Sequence, residues 1–330
     1  MRKIVCALAA AGLATAGLAA TDAQAEDESY NFIFVHHAAP GHQFWEIEKN
    51  GMEEACALIN ADCQMVFLQT QDGNIGEVLQ NLEAAVEQQP DGIATTIMDP
   101  EAFDGTIQRA MDMGIPVVSY NVDDADGAAG SARMGYMGSN LIKAGYTLGL
   151  GISKFFPEEG PIHVLIGTND PGQQWSQHRT LGAEMFMEEF AAANPDRDIT
   201  WANIDAGYDL GVTGARVSSY IQTNPNTTAY LDNGFWEVGV ARALRDLGYE
   251  PGQVLLGGFD LNTFKLEEMK GNWIQVTVDQ QPYLQAFLSV MQLYLHNKYG
   301  LGHWSVDTGE LIVTPDTADQ VLGLSAQNKR

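Results

Sequence analysis

The chain has 330 residues, of which 45% are hydrophobic and 18% are charged, and its formal net charge is −26 at pH 7. This composition is typical of a folded globular protein and excludes a disordered or fibrous chain. Because so acidic a surface repels phosphate backbones and anionic lipid headgroups, nucleic acids and membrane surfaces are poor partners, and a neutral ligand is favoured over a polyanion.

Residues 1–25 have the pattern of a secretory signal peptide. A positive start at Arg2 and Lys3 precedes an apolar run rich in Ala, Gly and Leu, which leads to the cleavage-site sequence Ala23-Gln24-Ala25. We therefore predict export to the periplasm with removal of residues 1–25, a retained membrane anchor being the alternative. No later segment has the roughly 18 uninterrupted apolar residues that span a bilayer, so membrane insertion after cleavage is not expected.

Two cysteines, Cys56 and Cys63, lie beyond the predicted signal peptide. The oxidising compartment that export implies favours a disulfide between them. Two buried, unpaired thiols are the alternative.

The chain after Glu26 alternates short β-rich runs with amphipathic segments of helical spacing. In the first half, the predicted strands are residues 31–36, 64–68, 91–98 and 115–120. Apolar residues at helical spacing predict helices over 44–59, 75–86 and 102–113. A looser stretch rich in Gly, Ala and Asp, residues 123–131, then interrupts the pattern.

The same alternation resumes in the second half. The predicted strands are residues 162–167, 199–204, 228–231, 254–259, 274–278 and 311–314. The predicted helices are residues 181–193, 214–222, 238–247 and 283–296. Short strands alternating with helices are typical of parallel sheets, and a chain above about 250–300 residues usually forms two cores. We predict an α/β fold with two doubly wound, parallel-sheet (Rossmann-like) lobes.

The residues that directly follow the predicted strands are candidates for function, because ligands bind just outside the carboxyl ends of parallel strands. These positions combine aromatic residues with Asn, Gln, Asp and Arg. An aromatic plane packs on the apolar face of a sugar, and amide or carboxylate groups pair with its hydroxyls. The candidates are His42, Phe44, Trp45, Asn121, Trp175, Gln177, Arg179, Tyr208, Asn233, Asp260 and Gln280.

Each candidate also has a structural alternative. An aromatic residue can close the core, an Asn or Asp can cap a helix, and Arg179 can form an ion pair on a helix surface. The recurrence of such residues at successive strand ends favours a shared site for a small neutral sugar or polyol.

No motif for catalysis or cofactor binding is present: the sequence lacks GxSxG, Walker, HExxH and CxxC patterns. His36, His37 and His42 could suggest a metal site. However, adjacent histidines on a strand point to opposite faces, and no carboxylate has supporting spacing. We therefore predict no metal, no cofactor and no catalytic residue, with a secreted carbohydrate-active enzyme as the alternative.

Six short motifs carry a family resemblance. They are Phe44-Trp45-x5-Gly51, Asp91-Gly92-Ile93 leading to Asp99-Pro100, Ile115-Pro116-Val117-Val118, Gly138-Ser139-Asn140-x3-Gly145, Gly257-Gly258-Phe259-Asp260 and Asp279-Gln280-Gln281-Pro282. In this order, the chain resembles the periplasmic sugar-binding proteins of ABC importers, in the ribose-binding-like group of type I periplasmic binding proteins.

In the first lobe, the resemblance implies that Phe44 and Trp45 are the family's aromatic pair, with His42 where asparagine is usual. Asn121 stands in place of the usual Asp, and Val122 in place of the arginine that often follows it.

In the second lobe, the resemblance implies ligand contacts by Tyr208, Asn233, Asp260 and Gln280. A sugar-binding arginine of the family aligns near Gln177, with Arg179 two residues further on, so both are candidates. The loss of the Asp-Arg pair and the gain of His42 and Trp175 argue against ribose itself.

The resemblance further implies a lobe of residues 26–139 plus 281–306 and a lobe of residues 140–280 plus 307–330. These lobes would close about a three-strand hinge over the ligand. The closed monomer would then be recognised by an ABC transporter permease. The alternative is a module that presents a sugar, or a furanosyl signal such as autoinducer-2, to a chemoreceptor.

Overall fold

The computed structural model of the chain describes residues 29–41, 43–70 and 73–330. The predicted signal peptide, its cleavage site and His42 lie outside the described residues. Within these ranges, no helix combines the length and the apolar character required to cross a membrane.

The first part of the chain forms five parallel strands and three helices. The strands are β1 (Asn31–Val35), β2 (Asp62–Val66), β3 (Gly92–Thr95), β4 (Val117–Tyr120) and β5 (Tyr136–Gly138). The helices are α1 (Gln43–Ile59), α2 (Ile75–Glu87) and α3 (Pro100–Asp112). Side chains of Asn74 and Asp99 cap α2 and α3 by accepting from backbone N–H groups of the first turn.

The middle of the chain forms a second set of elements. The strands are β6 (Ile162–Thr168), β7 (Ile199–Asp205), β8 (Ala229–Leu231), β9 (Leu255–Phe259) and β10 (Val276–Asp279). The helices are α4 (Leu141–Ser153), α5 (Gln174–Ala193), α6 (Leu210–Thr223), α7 (Glu237–Asp246) and α8 (Thr263–Lys270).

The last part of the chain returns to each sheet in turn. Its elements are α9 (Pro282–Tyr299), β11 (Val306–Asp307), β12 (Leu311–Val313) and α10 (Ala318–Ser325). Strand β11 pairs with β5 of the first sheet, and β12 pairs antiparallel with β10 of the second.

The two six-stranded sheets have matching strand orders, β11-β5-β4-β3-β1-β2 and β12-β10-β9-β8-β6-β7. In each sheet the first strand lies between the second and the third, so the chain changes direction beside β1 and beside β6. Such a switch point opens a crevice at the carboxyl ends of the strands. The predicted fold class, two doubly wound α/β lobes, is confirmed.

Three segments connect the lobes: β5 to α4, β10 to α9, and β11 to β12. Side chains tie these segments together. Gln281 donates to the carbonyl oxygen of Thr308, and Gln285 donates to the Thr308 hydroxyl, each at 3.0 Å. Ser139 donates to the Gln280 side-chain oxygen at 3.3 Å. The three segments therefore form one hydrogen-bonded hinge.

A disulfide and a close helix contact stabilise the first lobe around α1. Cys56 near the end of α1 and Cys63 in β2 are joined, with their Cα atoms 6.3 Å apart. Gly51 lets α1 approach α9, since a Cβ atom there would lie 2.1 Å from the Tyr283 carbonyl oxygen.

Residues 326–330 pass from the second lobe to the first. The Asn328 carbonyl accepts from Asn50 of α1 at 3.2 Å, and Lys329 pairs with Glu54 of α1 at 3.0 Å. Arg330 pairs with Asp279 at the hinge at 2.9 Å, and the Asp279 side chain is only 1% exposed. We call residues 326–330 the bridging segment.

Several predicted elements differ from the observed ones. Strands β5 and β11 and helices α8 and α10 were not predicted, and helix α4 falls between the two predicted series of elements. Helix α5 begins at Gln174, seven residues before the predicted start. Its first two turns are rich in polar residues, which hide the apolar periodicity from which a helix is predicted.

Candidate functional site

A cleft opens between the carboxyl ends of the two sheets. Its lining follows β1 and β4 on one side, and the start of α4 and β6 to β10 on the other. The lining residues are His37, Ala38, Phe44, Trp45, Asn121, Val122, Leu141, Trp175, Arg179, Tyr208, Gly234, Phe235, Trp236, Asp260 and Gln280. The space open to the centres of water-sized molecules is about 80 Å³. That is several times the roughly 10–15 Å³ needed by one water, so the cleft has room for a small molecule.

The first lobe contributes an aromatic wall centred on Trp45. The Trp45 ring stacks on His36 at 4.4 Å and meets the rings of Phe44 and His37 edge-on at 5.4 and 4.8 Å. His36 is fully buried, and burial lowers its pKa to about 3, so the imidazole is neutral. These contacts hold the Trp45 plane in place, and the stacked His36 ring adds no charge.

The second lobe contributes a facing wall centred on Trp236. Its ring lies 4.5 Å from Tyr208 and 5.0 Å from Phe235, and it stacks on Trp175 at 6.3 Å. Trp236 is 7% exposed whereas Tyr208 is 48% exposed, so Tyr208 stands at the rim. Two aromatic walls thus bound the cleft.

A charge-compensated group lies at the hinge end of the cleft. Gln280 donates to the Asp260 carboxylate and accepts from the Arg179 guanidinium. The guanidinium lies 4.2 Å from the ring centre of Phe259, and its buried Nε has no hydrogen-bond partner. Burial lowers the pKa of Arg179 and the Asp260 charge opposes that shift, so the arginine stays cationic. One cation and one anion therefore balance each other.

Backbone geometry directs two of the polar side chains. Asn121 follows β4 with φ of 61°, and Asp260 follows β9 with φ of 67°. Both are left-handed conformations that Asn and Asp tolerate better than most residues. The Asn121 side chain donates to Gln285 of α9 at 3.3 Å, and its carbonyl accepts from Tyr136 at 2.7 Å.

The structure brings eight of the eleven candidates to this cleft. They are Phe44, Trp45, Asn121, Trp175, Arg179, Tyr208, Asp260 and Gln280. Gln177 is exposed and donates to the Pro171 carbonyl at 2.6 Å, outside the lining. Asn233 is buried behind the lining at 3% exposure.

The helical start of α5 explains the different positions of Gln177 and Arg179. Trp175 and Arg179 are four residues apart on a helix and share a face, whereas Gln177 points elsewhere. The predicted helix begins only at residue 181, so the sequence pattern could not separate the two residues by helical face.

Seven lining residues were not among the candidates, and three of these carry aromatic rings: His37, Phe235 and Trp236. Phe235 and Trp236 are adjacent aromatics just after β8, as Phe44 and Trp45 are after β1. The same rule applied to β8 would have identified them. His37 was considered only as a metal ligand; its Nδ1 lies 3.2 Å from the Thr96 hydroxyl.

Comparison with known proteins identifies relatives along nearly the whole chain. A profile described as "Periplasmic binding protein domain" matches residues 33–300. The xylose/arabinose-binding protein of Sulfolobus acidocaldarius is 27% identical over 310 residues, which cover 88% of this chain and 72% of that protein.

Solved structures have the same fold. A carbohydrate transporter from Acidothermus cellulolyticus, in complex with myo-inositol, is 25% identical with a TM-score of 0.75, over 92% of this chain and 100% of that one. An arabinose binding protein from Geobacillus stearothermophilus is 25% identical with a TM-score of 0.72, over 88% of this chain and 99% of that one.

Proposed function

The chain belongs to the periplasmic binding protein domain family, and we propose that it captures a small neutral sugar or polyol in its interlobe cleft and performs no chemistry on it. The observation that carries this proposal is the pairing of two aromatic walls with the Asp260–Gln280–Arg179 group. The walls suit the apolar faces of a sugar ring, and the polar group suits its hydroxyls.

The charge balance of the cleft supports a neutral ligand. Arg179 and Asp260 are the charged residues of the lining among the described residues, and Gln280 joins them. An anionic ligand would compete with Asp260 for Arg179, and a cationic ligand would leave the arginine uncompensated. A ligand with hydroxyl groups can donate to the carboxylate and accept from the guanidinium without disturbing either charge.

The relatives narrow the ligand class. The relative from Sulfolobus acidocaldarius is a xylose/arabinose-binding protein, and the structure from Acidothermus cellulolyticus holds myo-inositol. We therefore expect a ligand of pentose or cyclitol size for this cleft. Export to the periplasm and delivery of the ligand to an ABC transporter permease are the parts of this proposal that family membership supports.

Titration calorimetry of the purified protein with xylose, arabinose and myo-inositol tests the proposal. We expect at least one neutral ligand to bind with a dissociation constant of about micromolar order, and glucuronate and sugar phosphates to bind at least tenfold more weakly. Recovered ligand should be chemically unchanged by NMR. Tighter binding of the anions, no binding by any neutral member, or conversion of the ligand would contradict the proposal.

A further inference from the structure

Asn169 and Asn233 form a reciprocal pair at the switch point of the second sheet. Asn169 follows β6 and Asn233 comes shortly after the neighbouring strand β8. The Asn233 side-chain oxygen accepts from the Asn169 backbone N–H at 3.1 Å, and the Asn169 side-chain oxygen accepts from the Asn233 N–H at 3.2 Å. We call this pair the asparagine bracket.

The carboxamide nitrogen of Asn233 has no free donor for a ligand. It donates to the carbonyl and hydroxyl of Ser176 at 2.9 and 2.8 Å and lies 3.2 Å from the Thr180 hydroxyl. A carboxamide has two N–H donors, and these acceptors occupy them. The residue is 3% exposed and is absent from the cleft lining. The hydrogen bonds of the Asn233 side chain are therefore all made to groups inside the protein.

The backbone of Asn233 reaches the cleft through Arg179. The Asn233 carbonyl accepts from one terminal nitrogen of the Arg179 guanidinium at 2.9 Å, and the other terminal nitrogen donates to Gln280. Asn169 is held in turn, since its carboxamide donates to the Gly207 carbonyl at 3.0 Å and to the Asp232 carboxylate at 3.2 Å. The asparagine bracket thus fixes the position of the Asn233 carbonyl, which accepts a hydrogen bond from Arg179.

We propose that Asn169 and Asn233 are positioning residues that set the orientation of Arg179 for the ligand, and that neither contacts the ligand. This inference rests on the proposed function and assigns Asn233 a role different from the ligand contact that the family resemblance implies. Arg179 makes charge-assisted hydrogen bonds, whose strength depends on geometry. A small displacement of the Asn233 carbonyl therefore weakens ligand binding although no contact atom is removed.

Calorimetry on a set of variants tests the bracket, with xylose, arabinose or myo-inositol as the probe, whichever binds the wild type most tightly. Asn169→Ala and Asn233→Ala should each weaken binding by about tenfold, the loss expected for one misplaced charge-assisted hydrogen bond. Because each substitution breaks the same bracket, the double variant should bind about as tightly as either single variant. In an Arg179→Lys background, both alanine effects should fall below about threefold.

Asn224→Ala is the matched control, since Asn224 ends α6 far from the cleft lining and donates to the Tyr220 carbonyl. It should lower the melting temperature without changing affinity. If an alanine variant does not fold, the serine variant at that position replaces it with the same expectations.

Additive losses, or an Asn233→Ala effect that persists in the Arg179→Lys background, would overturn the inference in favour of a direct contact. Stability losses without any change in affinity would also overturn it. If the wild-type protein binds none of the neutral probes, the result contradicts the proposed function itself, on which the role of the bracket depends. If wild type binds and the variants behave additively, only the bracket has failed.

Discussion

At the residue scale, Asp260 combines a left-handed backbone with a hydrogen bond from Gln280 at the edge of the cleft. Its Oδ1 accepts from Gln280, and the residue is part of the cleft lining. A carboxylate there can accept from two ligand hydroxyls more strongly than a neutral group can.

Replacing Asp260 by Ala or Asn should weaken sugar binding by at least about tenfold, because a charge-assisted hydrogen bond is lost. Asn tolerates the left-handed backbone, so Asp260→Asn should fold normally. Calorimetry measures the affinity and circular dichroism the melting temperature. The control is Asp196→Asn, at an exposed position after α5. Unchanged affinity in Asp260→Asn would contradict the assigned role.

Glu48 is a second residue of interest, because its protonation differs between the folded and unfolded protein. It lies on α1, is fully buried, and neither carboxylate oxygen has a hydrogen-bond partner. Burial raises its pKa well above the usual range, and the charge of Asp260 adds to that shift. The folded protein therefore holds Glu48 protonated at pH values where the unfolded chain has lost the proton.

This pKa shift predicts a pH-dependent stability. Above a pH of about 4.3 the unfolded state binds fewer protons at Glu48 than the native state, so stability falls as pH rises, by up to about 1.4 kcal/mol per pH unit, until the native pKa is reached. Glu48→Gln removes this loss. Urea unfolding at pH 5 to 8 should show the variant gaining stability relative to wild type as pH rises. Parallel stability profiles would show that Glu48 does not titrate differently in the two states.

At the element scale, α4 and α5 pack through glycines on both helices. A Cβ atom on Gly145 of α4 would lie 2.0 Å from the Arg179 carbonyl oxygen, and one on Gly182 of α5 would lie 1.9 Å from the Ile142 carbonyl oxygen. Such distances are far below contact distance, so the helices approach backbone to backbone. This packing fixes the part of α5 that carries Trp175 and Arg179.

Gly182→Ala should therefore destabilise the protein by about 1–3 kcal/mol and weaken ligand binding, since the helices must separate. Gly105→Ala is the matched control, because a methyl group added at that exposed position in α3 would have no neighbouring atom within 4 Å. It should be neutral or stabilising by up to about 1 kcal/mol. Denaturant unfolding and calorimetry measure both effects. Equal stabilities of the two variants would contradict the close packing.

The strongly periodic elements were predictable from the sequence, and the short or small-residue elements were not. Helix α1 has buried residues at Phe44, Ile47, Met52 and Ala55, and its spacing predicts it. Strand β5 has only three residues, and α4 contains Gly145, Gly149 and Gly151 on its buried side. Neither gives a strong pattern, because glycine contributes no side chain to an apolar face.

The cleft was predictable as a location, but the role of each residue required three-dimensional contacts. Strand ends lead to Asp260 and Gln280 because parallel strands share one carboxyl edge. The saturated amide of Asn233 depends on Ser176 and Asn169, which are 57 and 64 residues away in the chain. No local pattern reports such a partner.

At the scale of the whole molecule, the bridging segment adds a contact between lobes beside the three hinge connections. Lys329 and Asn328 contact α1 of the first lobe, while α10 packs on α8 of the second. Any change in the angle between lobes must stretch or break these contacts. The segment therefore acts against hinge motion in this conformation.

Deletion of residues 326–330 should widen the range of lobe separations. Without ligand, small-angle X-ray scattering should give a larger radius of gyration than for wild type. Stability should fall by about 1–3 kcal/mol, because Asp279 loses a partly exposed partner. Lys270→Ala, which removes two exposed ion pairs within the second lobe, is the control. An unchanged radius and unchanged stability would contradict this role.

The left-handed backbone at Asn121 and Asp260 limits how this cleft can diverge. Glycine, asparagine and aspartate are the residues that adopt such dihedral angles routinely. Substitutions at these two positions are therefore restricted to these three residue types. Variation at Trp175, Tyr208 and Phe235 meets no such restriction of the backbone. A library designed to change ligand preference should therefore randomise the aromatic walls and allow only glycine, asparagine or aspartate at positions 121 and 260.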